Sequence, residues 1–183
     1  MSHVSKGFLL LVVLALSLCA CDVFRQTPST SISSTPTPSA GLSSADQALQ
    51  RGDAFFTQGE YAQAIDAYTE ALVFAPNSAE AFNNRGLAYL NSGDPDKAFA
   101  DFNQAILLRP DYANALTNRA IILFDRGDYD GVIRDASHAI ELDPNADSAY
   151  MFLGNAFERK GNYFAAARNW AQANAIRIAR KNQ

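Results

Sequence analysis

The side chains with the most capacity for chemistry in this sequence are amides. Asn83, Asn84, Asn91, Asn114, Asn118 and Asn155 recur along the chain, with Gln50 and the carboxylates Asp53 and Asp125 among them. An asparagine can donate to a peptide carbonyl and accept from a peptide N–H, so a row of them can hold an extended backbone without reading its sequence. Covalent chemistry has poorer material. His138 stands without a Cys or carboxylate partner arranged to make it a base or a ligand. No glycine-rich phosphate loop, HExxH or nucleophile elbow occurs. The two cysteines, Cys19 and Cys21, both lie near the start, leaving none for a disulfide framework, thiolate nucleophile or zinc site further on. This inventory points to binding rather than catalysis, with no cofactor or metal.

The elements that position these amides are written in a strict beat. Gly59, Gly93, Gly127 and Gly161 are 34 residues apart, and Pro76, Pro110 and Pro144 keep the same interval. A period of that length without insertions predicts tandem helical hairpins, which offer surfaces rather than reaction centres. Units then begin at Ala45, Ala79, Ala113 and Asp147. In the second, Phe82, Arg85, Gly86 and Tyr89 form one helical stripe. Gly93 ends that helix, Asp94 offers a cap for the next, and Pro95 takes its first position. Ala98, Phe102, Ala105 and Ile106 share a face of the second helix, and Pro110 stops it. Small residues recur at Gly52, Gly86, Ala120 and Gly154, followed a turn later by Phe55, Tyr89, Leu123 and Phe157. Ala64, Ala98, Val132 and Ala166 precede Tyr68, Phe102, Ala136 and Trp170, the small-and-large alternation that interlocking layers need. Arg85 and Arg119 stand sixteen residues before Asp101 and Asp135, which predicts an ion pair within each hairpin. Unit four has Leu153 and Asn169 there instead, and Arg51 faces Ala67.

On these residues the body resembles a tetratricopeptide repeat array of four units, 45–78, 79–112, 113–146 and 147–180. Ile178 departs from the pattern where the fourth terminal proline belongs, as does Pro95 where Tyr61, Tyr129 and Tyr163 supply an aromatic. The resemblance implies an all-α, right-handed solenoid whose first helices line a concave groove. Helical spacing assigns to that groove Gln50, Asp53, Asn83, Asn84, Leu87, Asn91, Asn114, Asn118, Ile121, Asp125, Phe152 and Asn155. Asn84 and Asn118 fall at the offset of the asparagine ladder in O-linked N-acetylglucosamine transferase, which Gln50 and Phe152 do not continue; a scaffold asparagine without a ligand is the plainer alternative. The clamp with which chaperone co-factors grip C-terminal carboxylates is missing, since Leu49, Asp53, Asn114 and Asn118 occupy its positions. A neutral or mildly basic peptide is the expected partner.

The first 20 residues carry Lys6 and then an apolar run from Gly7 to Leu18, the layout of a secretory signal. They close on Leu18-Cys19-Ala20-Cys21, which resembles the bacterial lipoprotein box and implies a lipid on Cys21. Ordinary signal peptidase cleavage after Ala20, or an uncleaved anchor, is the alternative. Asp22 leaves the choice of membrane open. The Ser/Thr/Pro stretch that follows, to residue 44, has too little apolar mass to offset ordering entropy and is expected to be a disordered tether. Its reach is about 75 Å extended and ~26 Å as a coil. Formal charge is −4, and losing the head removes one cation, Lys6. That mild acidity speaks against nucleic acid, which requires a basic stripe. The sequence thus reads as an exported, membrane-tethered adaptor of the cell envelope that docks a protein or peptide. The alternative is a structural lipoprotein self-associating through its C-terminal helix, near Trp170 and Ile176.

Overall fold

The computed structural model describes residues 43–182; the expected signal sequence, Cys21 and most of the expected tether lie outside them. Among the described residues there are eight helices and no strand: α1 (Ser44–Thr57), α2 (Tyr61–Phe74), α3 (Ala79–Asn91), α4 (Pro95–Leu108), α5 (Ala113–Asp125), α6 (Tyr129–Leu142), α7 (Asp147–Arg159) and α8 (Tyr163–Lys181). Within each pair the chain reverses at a glycine in the left-handed region, at φ from +77° at Gly161 to +88° at Gly93. A side chain there would strain against its own backbone. The next N–H closes the turn on the carbonyl five residues back, as Asp94 does to Tyr89 at 2.8 Å and Asp128 to Leu123 at 2.9 Å. Asp94, Asp128 and Asn162 then use their side chains to cap α4, α6 and α8, while Glu60 makes no such bond to α2.

The hairpins close by matching a large ring to a missing one. A Cβ on Gly52 would stand 2.5 Å from the Tyr68 ring, on Gly86 2.7 Å from Phe102, and on Gly154 2.5 Å from Trp170. The third hairpin solves the same contact with Ala120 and Ala136, both fully buried. Successive hairpins then stack. The backbones of α1, α3, α5 and α7 each come close to the corresponding helix of the neighbouring hairpin, whereas those of α2, α4, α6 and α8 stay farther apart from one another. First helices crowded together and second helices splayed apart bend the stack into an α-solenoid whose inner side is made by the first helices.

Both expected ion pairs form, each with two parallel bonds. Arg85 meets Asp101 at 2.8 Å through Nε and through Nη2, and Arg119 meets Asp135 at 2.7 and 2.8 Å. Each guanidinium spends its third nitrogen on the preceding hairpin, on Thr69 at 3.1 Å and Asn103 at 2.8 Å. The arginines therefore tie hairpins together as well as closing them. Arg51, left without an acid at position 67, pairs with Glu70 on the surface instead. In the fourth hairpin Leu153 is buried against Leu116, Ala136, Ala139 and Ala149.

The two ends of the stack differ from its middle. Ala81, Ala115 and Ala149, each buried against the preceding hairpin, have Gln47 as their counterpart in α1. At the other end, α8 carries Ala167 where Ile65, Phe99 and Ile133 stand, and Asn174 where Leu72, Ile106 and Ile140 stand. Small and polar side chains thus replace the large apolar ones that a following hairpin would cover, as terminal repeats require. Trp170 and Ile176 are half-buried, and the exposed apolar groups on α8 are Tyr163, Phe164 and Ile178.

Candidate functional site

The inner faces of α3, α5 and α7 enclose an open groove of about 580 Å³. Of the residues assigned to it by spacing, Asn83, Asn84, Leu87, Asn114, Asn118, Ile121 and Phe152 line it. Asp53 joins Asn84 and Leu87 around a smaller adjoining pocket of about 180 Å³ between α1 and α3. Gln50, Asn91 and Asp125 are exposed outside both cavities, and Asn91 turns its amide back onto the Leu87 carbonyl at 2.8 Å. Asn155 is occupied with Trp170, whose indole N–H donates to its Oδ1 at 2.9 Å.

The amides of the row bond to each other before they can meet a ligand. Asn118 donates from Nδ2 to Asn83 Oδ1 at 2.9 Å, Asn83 donates to Asn84 Oδ1 at 3.1 Å, and Asn84 donates to Asp53 Oδ1 at 3.2 Å. The Tyr68 hydroxyl donates to that same oxygen at 2.7 Å. The polarity of the row follows from its last member. A carboxylate only accepts, so Asn84 must show it an amide N–H, which turns its own oxygen to Asn83 and fixes the order down to Asn118. Asn83, 3% exposed, is consequently part of the groove wall. Asn84 and Asn118 are half-buried at the surface of the row, each with a second amide hydrogen beyond the one spent in it. Tyr68 is held as a neutral donor: burial foremost, then the Asp53 bond and charge, push its hydroxyl well above the ordinary tyrosine range.

At the far end the groove contains residues that spacing within the first helices does not reach. Because Ile178 stands where a proline would stop α8, that helix runs on to Lys181, and Arg177 and Arg180 fold back over the start of α7. Arg177 binds Asp147 Oδ2 at 2.7 Å, and Arg180 binds Asp147 Oδ1 at 3.1 Å and the Asn145 carbonyl at 3.2 Å. The Arg177 bond, chiefly, holds the Asp147 carboxyl below the usual aspartate value, against the opposing effect of burial. Arg180 and Tyr112 line the groove with Glu80 and Asp143. The sequence signal for this end was the missing proline at 178 with an arginine on either side of it, Arg177 and Arg180, about one repeat beyond Asp147.

Comparison with known proteins matches this architecture. Family models described as TPR repeat and tetratricopeptide repeat match residues 52–93, 79–112 and 117–178. The Sgt2 TPR domain from Aspergillus fumigatus is 30% identical, with 70% of this chain and 86% of that domain aligned at a TM-score of 0.62. The chain belongs to the tetratricopeptide repeat family. Another TPR structure similar to it, the first TPR of Spaghetti (RPAP3) bound to the HSP90 peptide SRMEEVD, is 26% identical over 67% of this chain and 99% of that one, with a TM-score of 0.62. MamA shares the TPR fold at 24% identity, covering 76% and 81% of the two chains with a TM-score of 0.68. A search of curated protein sequences gives no match. Tetratricopeptide arrays are interaction scaffolds, and the inner face of this one carries the amide-lined groove.

Proposed function

We propose that this TPR body docks an extended, neutral or basic segment of a partner protein in its inner groove, as an adaptor held at an envelope membrane by a lipid on Cys21. The observation that carries the docking mode is the self-bonded row Asn118–Asn83–Asn84–Asp53. Held by one another, Asn84 and Asn118 lose little side-chain freedom on binding, and their second amide hydrogens can meet the carbonyls of an extended backbone. The charge preference follows from the groove. The Spaghetti TPR holds an acidic peptide, SRMEEVD. Here Glu80 and Asp143 line the groove, and among the described residues its one lining cation, Arg180, is already engaged with Asp147. An acidic tail would meet like charge with no free cation to offset it. Membrane tethering rests on the Leu18-Cys19-Ala20-Cys21 sequence.

Crosslinking in native membranes, followed by mass spectrometry, tests the reading. The wild-type chain is expected to capture a partner that the Asn84→Ala/Asn118→Ala variant loses while its helical circular dichroism is unchanged. Equal recovery by both would move binding off the groove. Recovery of the chain's own copies alone would favour self-association through α8, where Tyr163, Phe164 and Ile178 are exposed.

A further inference from the structure

We infer that the pocket around Asp53 is a receptor for one lysine or arginine side chain of the docked segment, and that it sets the register of that segment in the groove. This rests on the groove reading above and adds to it the chemistry of a single subsite. The pocket holds about 180 Å³ between α1 and α3, lined by Asp53, Phe56, Tyr68, Asn84 and Leu87. Three features give it a preference for a long cation.

First, the carboxylate is held and half-used. Both of its side-chain donors, the Tyr68 hydroxyl at 2.7 Å and the Asn84 amide at 3.2 Å, fall on Oδ1, and Oδ2 receives neither. Two donors on one oxygen fix the rotamer, so an incoming cation meets a carboxylate already oriented. Second, no Lys or Arg among the described residues pairs with Asp53, so its charge is open to a cation from outside. Third, the remaining walls are apolar. Phe56 and Leu87 offer surface to the methylene stem of a lysine or arginine while its head reaches Oδ2, the way amphipathic side chains bury their stems. A glutamate entering the same pocket would meet like charge, and a leucine would leave the carboxylate oxygen desolvated without a donor.

The other hairpins fold without a charge at this offset. At the offset of Asp53, units two and three place Leu87 and Ile121, and unit four places Asn155. Asn155 does for Trp170 what Asp53 does for Tyr68, accepting one bond from the ring at 2.9 Å. Asp53→Asn therefore keeps in its oxygen an acceptor for Tyr68 and Asn84, and puts an uncharged amide NH2 where Oδ2 stood.

Selection from a phage-displayed library of random ten-residue peptides tests this, using the full chain in detergent as bait in three forms: wild type, Asp53→Asn, and Asn84→Ala/Asn118→Ala. Peptides enriched by wild type are expected to share a lysine or arginine at one fixed position. By fluorescence anisotropy such a peptide should bind Asp53→Asn about five- to tenfold more weakly. Replacing its cation by glutamine should weaken binding to wild type equally and leave binding to Asp53→Asn almost unchanged. The change on the peptide side needs no protein variant, so it reads the subsite even if Asp53→Asn folds poorly. Enriched peptides without a fixed cation, or the same preference retained by Asp53→Asn, would overturn the subsite and leave the groove standing. No enrichment, or enrichment that the Asn84→Ala/Asn118→Ala variant shares in full, would overturn the groove reading and the subsite with it.

Discussion

Removing Asp101 should destabilise the array by about 2–4 kcal/mol, and removing its partner as well should restore most of the loss. Asp101 is 6% exposed and the Arg85 side chain 18% exposed, and the two share parallel bonds of 2.8 Å. Hydrogen bonds to charged groups contribute roughly 1.5–3 kcal/mol each, which sets an upper limit of about 3–6 kcal/mol for Asp101→Ala. Two things lower it. The guanidinium keeps its bond to Thr69, and its partial exposure lets water replace part of what is lost. The double variant Arg85→Leu/Asp101→Asn copies the fourth hairpin, where Leu153 packs into the core and Asn169 donates to the Ala165 carbonyl at 2.8 Å. Replacing a buried pair by a packed apolar residue is often neutral or stabilising, so this variant should lie within about 1 kcal/mol of wild type. The assay is thermal and urea unfolding followed at 222 nm, with amide exchange on α3 and α4, since repeat arrays need not melt in one step. For a body of this size the single substitution should lower the midpoint by roughly 5–12 °C. The reasoning fails if Asp101→Ala costs less than about 1 kcal/mol, or if the double variant falls as far as the single one.

Three further outcomes are expected. Gly86→Ala should cost about 2–3 kcal/mol by driving a methyl into the Phe102 ring, and Phe102→Ala about 3–5 kcal/mol by leaving a cavity. Together they approach the Ala120/Ala136 solution of the third hairpin, so unfolding titrations should show a combined loss smaller than the sum. The tether of α8 to Asp147 should be acid-labile. A carboxyl held below its ordinary value stabilises the fold fully above about pH 3.9 and loses that contribution as pH falls through the lower folded value. Amide exchange in the last turn of α8 should therefore rise over that window, and in Asp147→Asn it should be fast at every pH. Finally, Cys21→Ser should abolish metabolic labelling of the chain with a fatty acid and release it from membranes; labelling that persists would refute lipid attachment at Cys21.

Sequence alone determined the period, and with it the hairpins. Gly93 and its three counterparts mark places where only a residue without a side chain turns cheaply, and Asp94 and Pro95 signal the next helix by local rules that act within a few residues. The Arg85–Asp101 and Arg119–Asp135 pairs were legible too, because a fixed turn makes the distance across a hairpin a function of sequence separation. Counting along one helix also named the groove positions from Asn83 to Phe152 that line the cavity, but it put Gln50, Asn91 and Asp125 with them, and these lie outside it. What counting could not supply was the fate of their polar atoms. That Asn83 is walled in, that Asn84 and Asn118 are linked into a row ending on Asp53, and that Tyr68 holds this carboxylate from behind all depend on how one hairpin lies against the next. The extension of α8, with Arg180 brought to the groove above Asp147, is another such case: the missing proline allowed it, and the angle of the last hairpin directed it. A helix repeats its own geometry, so local spacing predicts what shares a face. The stacking angle between hairpins is set by many small side-chain contacts at once, and only the folded array decides which faces meet and which hydrogen bonds remain open.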